Sequence, residues 1–163
     1  MRTLALDIGK TRIGLAVSDD QGRIATPLKV MDADAVLDGH PEFRHIIEDW
    51  EIEQLVCGLP YTLAGEEGPQ AESIKARAKR VAAMFNLPLY FTDERLSSKD
   101  AKRILREEGL AERDMRGKVD MIAASLFLQA WLDMPKDGVE PLRPVKRQRT
   151  RSRSKKDRND NAS

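Results

Sequence analysis

Acidic side chains follow or interrupt three apolar segments of this chain. Asp7 lies near the end of the first apolar run, and Asp93 and Glu94 directly follow a later one, residues 88–92. Asp120 lies among apolar residues near the start of a helix-like pattern. A carboxylate in apolar surroundings costs free energy unless it is solvated, paired or bound to a cation. These positions are therefore the first candidates for chemistry.

Each of these carboxylates also has an ordinary structural explanation. Asp7 could accept backbone hydrogen bonds across a turn at residues 9–11. The three charges of residues 93–95 could form a solvated loop with a local ion pair. Asp120 could be stabilised by the dipole at a helix N-terminus. Taken one at a time, the positions leave these alternatives open.

Taken together, the carboxylates predict one site if they converge at one edge of a sheet. Oxygen-only ligands suit hard cations such as Mg²⁺ or Mn²⁺ rather than zinc. Two such ions about 4 Å apart can activate water and stabilise the attacking and leaving oxygens of phosphodiester cleavage. The pattern therefore favours a two-metal nuclease site, and the spacing alone does not determine whether the side chains converge.

The elements that would position these residues form an α/β pattern. Three strand-like runs come first, and helical and strand-like patterns then alternate, which predicts a mixed five-stranded sheet covered by helices. Gly14 lacks a side chain within the second strand, which predicts the close approach of another group. Pro27 cannot donate to a ladder, which places the third strand at a sheet edge. The predicted strands are residues 3–8, 12–18, 23–30, 54–59 and 88–92, and the predicted helices begin at residues 41, 69, 97 and 116.

The net charge of the chain hides an uneven distribution. The formal total is +1, but residues 143–163 contain nine Lys or Arg and two Asp, a net charge of +7. The other 142 residues contain 19 basic and 25 acidic side chains, a net charge of −6. The pattern predicts one folded domain, residues 1–138, and a basic disordered tail, residues 139–163. The tail is either a solubilising extension or an arm that binds RNA phosphates.

Cysteine usage and hydropathy favour a soluble cytoplasmic protein. Cys57 is the only cysteine, which excludes an intramolecular disulfide and a cysteine-based zinc site. It lies in an apolar run and is interpreted as a buried hydrophobe rather than a nucleophile. No signal-like segment precedes the first strand, and no apolar run reaches the ~20 residues that a membrane span needs.

Four sequence blocks resemble the motifs of a known family. They resemble, in order and spacing, those of the YqgF/RuvX family, RNase H-like proteins described both as Holliday-junction resolvases and as pre-16S ribosomal RNA nucleases. The blocks extend from about residue 3 to residue 133 and together are far more specific than any one alone. They are residues 7–19, residues 58–60 with Gly65, Gly68 and Pro69, residues 92–96 with Ala101, and residues 118–120 with Ala123, Ala124, Leu128 and Gln129.

This resemblance implies an α/β, RNase H-like fold and a site. The implied catalytic and metal-binding residues are Asp7, Glu94 and Asp120, with Mg²⁺ or Mn²⁺ as the cofactor. Glu94 is preferred to Asp93 because the family motif is read with the glutamate as the ligand. Three cations are candidates for contacts with nucleic-acid phosphates or for holding the carboxylates in place, namely Arg12, Arg95 and Lys118.

The function expected from this resemblance is a metal-dependent endonuclease acting on structured RNA, with precursor 16S rRNA as the substrate and no membrane partner. A Holliday-junction resolvase acting on branched DNA and a non-catalytic nucleic-acid-binding module remain as alternatives. A phosphotransferase of the actin and sugar-kinase type is disfavoured, because such enzymes need two domains of this kind. The protein is expected to be a monomer or a weak homodimer.

Overall fold

A five-stranded mixed sheet forms the centre of the fold in the computed structural model. Its strands are β1 (Thr3–Ile8), β2 (Arg12–Ser18), β3 (Ala25–Asp32), β4 (Gln54–Leu59) and β5 (Leu89–Asp93). They are ordered β3-β2-β1-β4-β5. The first three strands pair antiparallel, whereas β4 runs parallel to β1 and β5 parallel to β4. The predicted mixed sheet is confirmed. The structure describes residues 1–62, 64–95, 97–115 and 117–144, without the side chains of residues 97–99 and 112.

Helices cover both faces of the sheet. Two short helices, Ala33–Leu37 and Glu112–Met115, were not predicted, because four or five residues are too few to show a helical period. The predicted start of the last helix, at residue 116, lies outside the described residues. The helices are α1 (Ala33–Leu37), α2 (Pro41–Asp49), α3 (Ala71–Phe85), α4 (Ser97–Glu107), α5 (Glu112–Met115) and α6 (Val119–Asp133).

The two faces of the sheet differ in the size of their side chains. On one face, large residues of the strands pack against α2 and α3, which contribute Phe43 and Ile74 to this core. On the other face, Ala5 and Ala16 pack against the buried side chains of α6. Small residues let a helix approach a sheet closely. On this face, therefore, the backbone of α6 can lie close to the backbone of the strands.

The two edges of the sheet are closed in different ways. β3 forms one edge, and Pro27 lies within it, as predicted. At the other edge, Leu89 of β5 and Leu142 exchange two backbone hydrogen bonds, of 2.9 and 2.7 Å. This pairing attaches part of the segment predicted as a tail to the sheet. Because the pair is antiparallel, residues 143 and 144 continue away from Asp93. Residues 145–163 lie outside the described residues.

None of the helices in the described ranges is long and apolar enough to cross a membrane. Cys57, in the middle of β4, is fully buried, as expected from the apolar run around it. Burial raises the pKa of its thiol, and the nearby charges of Glu94 and Asp7 add to the rise. The thiol is therefore held protonated, in keeping with a packing role.

Candidate active site

Asp7 and Glu94 meet at the edge of the sheet where the parallel strands end. Asp7 lies near the end of β1, and Glu94 directly follows β5, its backbone N–H donating to Leu59 at 3.1 Å. β4 lies between the two strands, and its residue at the crossing point is Gly58. A Cβ on Gly58 would lie 2.7 Å from Oε2 of Glu94. The missing side chain lets Glu94 reach across β4 and share a hydrogen bond with Asp7.

Asp120 reaches the same place from α6. Gly14 of β2 is the register partner of Asp7. A Cβ on Gly14 would lie 2.2 Å from the carbonyl carbon and oxygen of Asp120, so the first turn of α6 rests directly on the backbone of β2. The predicted close approach at Gly14 is confirmed. It brings the third predicted carboxylate beside the first two.

The three carboxylates are partly buried and lie close enough together to repel one another. Burial raises the pKa of Asp7 to about 8, and the charges of Glu94 and Asp120 and a hydrogen bond with Glu94 add to the rise. Burial also raises the pKa of Glu94, an effect partly offset by the hydrogen bond from Asp7. Burial raises the pKa of Asp120, and the charge of Arg12 opposes it. Near neutral pH, Asp7 therefore keeps a proton unless a cation takes its place.

The three carboxylates have the donor chemistry of a hard-cation site, but they are not arranged around an ion position. Three carboxylates provide only oxygen donors, which Mg²⁺ and Mn²⁺ prefer, and their mutual repulsion is what a cation would relieve. However, within the ranges that the structure describes, no three His, Cys, Asp or Glu side chains are grouped so that they could hold an ion. Asp7 and Glu94 instead bond directly to each other. The donor chemistry therefore fits a hard cation, whereas in this arrangement Asp7 and Glu94 are hydrogen-bonded to each other.

Asp93 faces a different partner from its neighbour Glu94. Its Oδ1 accepts the backbone N–H of Arg95 at 2.8 Å, and its Oδ2 accepts Nε of Arg95 at 2.7 Å. Arg95 also donates from Nη1 to the carbonyl oxygen of Thr62 at 3.2 Å, and its guanidinium carbon lies 5.8 Å from the ring centre of Tyr61. Arg95 therefore joins the segment after β5 to the loop after β4. Asp93 holds Arg95 in this position through its two hydrogen bonds.

The two other predicted cations are exposed. Arg12 begins β2, and its charge lowers the pKa of Asp120, so it lies at the rim of the carboxylate cluster. Lys118 directly precedes α6, where its carbonyl oxygen accepts the backbone N–H of Ile122 at 3.1 Å. Both side chains remain accessible to a polyanion near the cluster.

Arg77 is a residue near the site that the sequence analysis missed. It lies on α3, and its Nη1 donates to the carbonyl oxygen of Gly9, in the turn between β1 and β2, at 2.7 Å. The available signal was its position on the apolar face of α3, between the buried residues Ile74 and Ala78. An arginine there needs a polar partner within the fold.

The match to a family model decides the relationship of this chain to known proteins. The model described as RuvX, Holliday junction resolvase, matches residues 1–134. This chain belongs to the RuvX family. Its family is one of nucleases, so the predicted hydrolase class is confirmed.

Curated relatives in the RuvX family cover nearly the same part of the chain. A protein of Acaryochloris marina, named provisionally as a pre-16S rRNA nuclease, is 42% identical over 130 residues, which are 80% of this chain and 90% of the relative. A relative from Anaeromyxobacter with the same provisional name is 41% identical over 133 residues, 82% of this chain and 97% of its own length.

A solved structure shows the same fold. The chain resembles T. thermophilus RuvC in complex with Holliday junction substrate with a TM-score of 0.51 and 18% sequence identity, over 87% of this chain and 99% of that one. At this identity the likeness shows the fold alone. The predicted RNase H-like architecture of this RuvX protein is confirmed.

Proposed function

We propose that this RuvX protein is a metal-dependent endonuclease that hydrolyses phosphodiester bonds of structured RNA, in 5′-end processing of precursor 16S rRNA. The observation that carries the proposal is the proximity of Asp7, Glu94 and Asp120, three partly buried carboxylates drawn from β1, the end of β5 and α6. The names of the curated relatives support the choice of substrate.

The residues that would hold Mg²⁺ or Mn²⁺ are Asp7, Glu94 and Asp120. A pair of such ions, when bound, supplies an activated water and stabilises the leaving oxygen of the phosphodiester. Asp7 would have to lose its proton to serve as a ligand, and it is the carboxylate whose pKa is raised by the charges of both Glu94 and Asp120. Glu94 and Asp120 would complete the ligand set and would help to orient the attacking water.

Basic residues around this cluster would hold the nucleic acid. Arg12 and Lys118 are exposed beside it and would contact substrate phosphates, which supply most of the affinity in nucleic-acid binding. Arg95 is already bonded to Asp93 and Thr62. Its proposed role is to hold the loop after β4 beside the site, and so to shape the path of the substrate strand.

A second candidate substrate is branched DNA. The family model that matches this chain is described as a Holliday junction resolvase, which favours this alternative. The carboxylate cluster would act on the phosphodiester, which RNA and DNA share, whereas the two differ at the 2′-hydroxyl. The cluster is therefore equally suited to either substrate. A direct comparison of the two substrates is therefore needed.

The experiment compares cleavage of a precursor 16S rRNA 5′ fragment and of a four-way DNA junction, each with Mg²⁺, Mn²⁺ or a chelator. We expect metal-dependent cleavage of the RNA by the wild type and a loss of at least about 1000-fold in Asp7→Asn. Asp133→Asn, at the far end of α6, is the matched control and should cleave normally. Cleavage that survives in Asp7→Asn contradicts the site, and faster cleavage of the junction favours the resolvase. Metal-independent binding without any cleavage favours a non-catalytic module.

A further inference from the structure

Arg77 connects α3 to the hairpin that carries Asp7. α3 packs on the face of the sheet opposite to α6, and Arg77 reaches the end of that face to donate to Gly9 at 2.7 Å. Burial raises the pKa of Cys57 in β4, and the charge of Arg77 opposes that rise, so the guanidinium is also close enough to β4 to act on this thiol. Arg77 is therefore placed beneath the carboxylate cluster rather than within it.

The turn that Arg77 contacts is held from two sides. Within the turn, the backbone N–H of Gly9 donates to the carbonyl oxygen of Arg12 at 2.9 Å. A Cβ on Gly9 would lie 2.7 Å from that oxygen. From the α1 side, the backbone N–H of Ala33 donates to Thr11 at 2.8 Å. From the α3 side, Arg77 holds Gly9. Within the described part of the chain, the hydrogen bonds that tie this turn to the helices are those from Arg77 to Gly9 and from Ala33 to Thr11.

The position of Arg77 is not explained by stability. Its Nε is buried and has no hydrogen-bond partner among the described residues. An unpaired buried donor destabilises a fold, whereas an apolar side chain of similar length would pack between Ile74 and Ala78 without that cost. What the arginine contributes in return is the bond to Gly9, two residues beyond Asp7.

We propose that Arg77 is a positioning residue for the nuclease site. By holding the carbonyl of Gly9 it fixes the β1–β2 hairpin, and through it the carboxylate of Asp7 relative to Glu94. This inference rests on the proposed roles of Asp7 and Glu94. Arg77 acts through the backbone of the hairpin and does not touch the substrate. A displacement of about 1 Å at a reacting group can lower a rate by about 100-fold, so the effect of losing the bond is measurable.

The test compares Arg77→Met and Arg77→Lys with Arg80→Met in the full-length protein. Arg80 lies one turn further along α3 and pairs on the surface with Asp38 at 2.6 Å, so it is the matched control. In Arg77→Met we expect kcat to fall about 10- to 100-fold, KM to stay within about twofold, and Mn²⁺ binding measured by calorimetry to weaken. Arg77→Lys, which keeps one charged donor, should recover part of kcat.

The thermal midpoint of Arg77→Met should stay the same or rise, because the unpaired Nε is removed. A higher KM with normal kcat and normal Mn²⁺ affinity would mean that Arg77 contacts the substrate, which overturns the proposal. A lowered midpoint with parallel loss of every activity, or wild-type kinetics, also overturns it. Asp7→Asn, measured in parallel, separates the two claims. If Asp7→Asn cleaves normally the proposed function fails, whereas an inactive Asp7→Asn with a normal Arg77→Met removes only the positioning role.

Discussion

Asp7 is the residue whose environment differs most from that of an ordinary carboxylate. It lies beside Glu94 and Asp120 with little access to water, and its pKa is raised to about 8. The folded protein thus holds a proton on Asp7 that the unfolded chain releases at its ordinary pKa of 3.8. The folded state binds more protons between these two values, so raising the pH across this window favours unfolding.

We therefore expect Asp7→Asn to be more stable than the wild type in metal-free buffer at pH 8. The gain should be about 2 kcal/mol, since each pKa unit corresponds to about 1.4 kcal/mol and the repulsion is shared among three groups. The difference should become small near pH 4, just above the ordinary pKa of 3.8, because Asp7 is then protonated in the folded state and only partly ionised in the unfolded chain. Urea unfolding at pH 4, 6 and 8 with a chelator measures it, with Asp133→Asn as the control. Equal stability of the two proteins at all three pH values would contradict the raised pKa.

Metal binding at the same residue should release the proton of Asp7. At pH 7, calorimetric titration with Mn²⁺ in two buffers of different ionisation enthalpy should report release of up to one proton per site. At a Mn²⁺ concentration 100 times the Kd, the wild type should gain about 2.7 kcal/mol of stability. Asp7→Asn should show neither effect. A wild type that gains no stability from Mn²⁺ would argue against a metal site.

At the scale of elements, two glycines determine how closely β2, β4 and α6 approach the site. Gly14 meets the backbone of Asp120, whereas Gly58 meets the side chains of Glu94 and Phe127, with 2.8 Å between its added Cβ and the Phe127 ring. Backbone cannot give way as a flexible side chain can. The two positions should therefore respond differently to the same added methyl group.

We expect Gly14→Ala to displace α6 and to lower the free energy of unfolding by about 2 kcal/mol or more, with loss of cleavage. Gly58→Ala should destabilise less but reduce cleavage strongly, because it pushes Glu94 away from Asp7. Gly117→Ala is the control, since its Cβ would meet nothing within 4 Å. Denaturant unfolding and cleavage rates measure the two effects. Wild-type activity in Gly58→Ala would show that Glu94 need not cross β4.

At the scale of the whole molecule, the charge is divided between an acidic body and a basic C-terminal segment. Pairing of Leu142 with Leu89 attaches the start of this segment to the edge of β5, and residues 143 and 144 continue away from Asp93. Residue 144, after which the described part of the chain ends, therefore lies toward the end of β5 opposite to the carboxylates. Only a long nucleic acid could therefore contact the basic C-terminal segment and the carboxylates at the same time.

Truncation after Pro144 removes eight Lys or Arg and two Asp but keeps the Leu142 pairing. We expect weaker binding of long RNA and a smaller slope of log affinity against log salt concentration, because fewer counterions are released. Cleavage of a short oligonucleotide should not change. A full-length variant with the same eight residues replaced by Ser is the matched control for length. Unchanged affinity and slope would leave the segment only a solubilising role.

The sequence by itself determined the fold class and the candidate carboxylates. Strand periodicity, the proline in β3 and the apolar run of β4 are local patterns, so they could be read without knowing what packs against them. Gly14 also predicted close packing before its partner was known. The family motifs then selected Asp7, Glu94 and Asp120 from 27 acidic residues.

Only the tertiary structure decided how these residues meet. Asp93 and Glu94 are adjacent in sequence, yet one pairs with Arg95 and the other with Asp7. The bond between Arg77 and Gly9 joins residues 68 positions apart. Such contacts depend on strand order and on which faces are covered, and no local period reports them. Burial and repulsion at Asp7 likewise arise only when the sheet edge and α6 close around it.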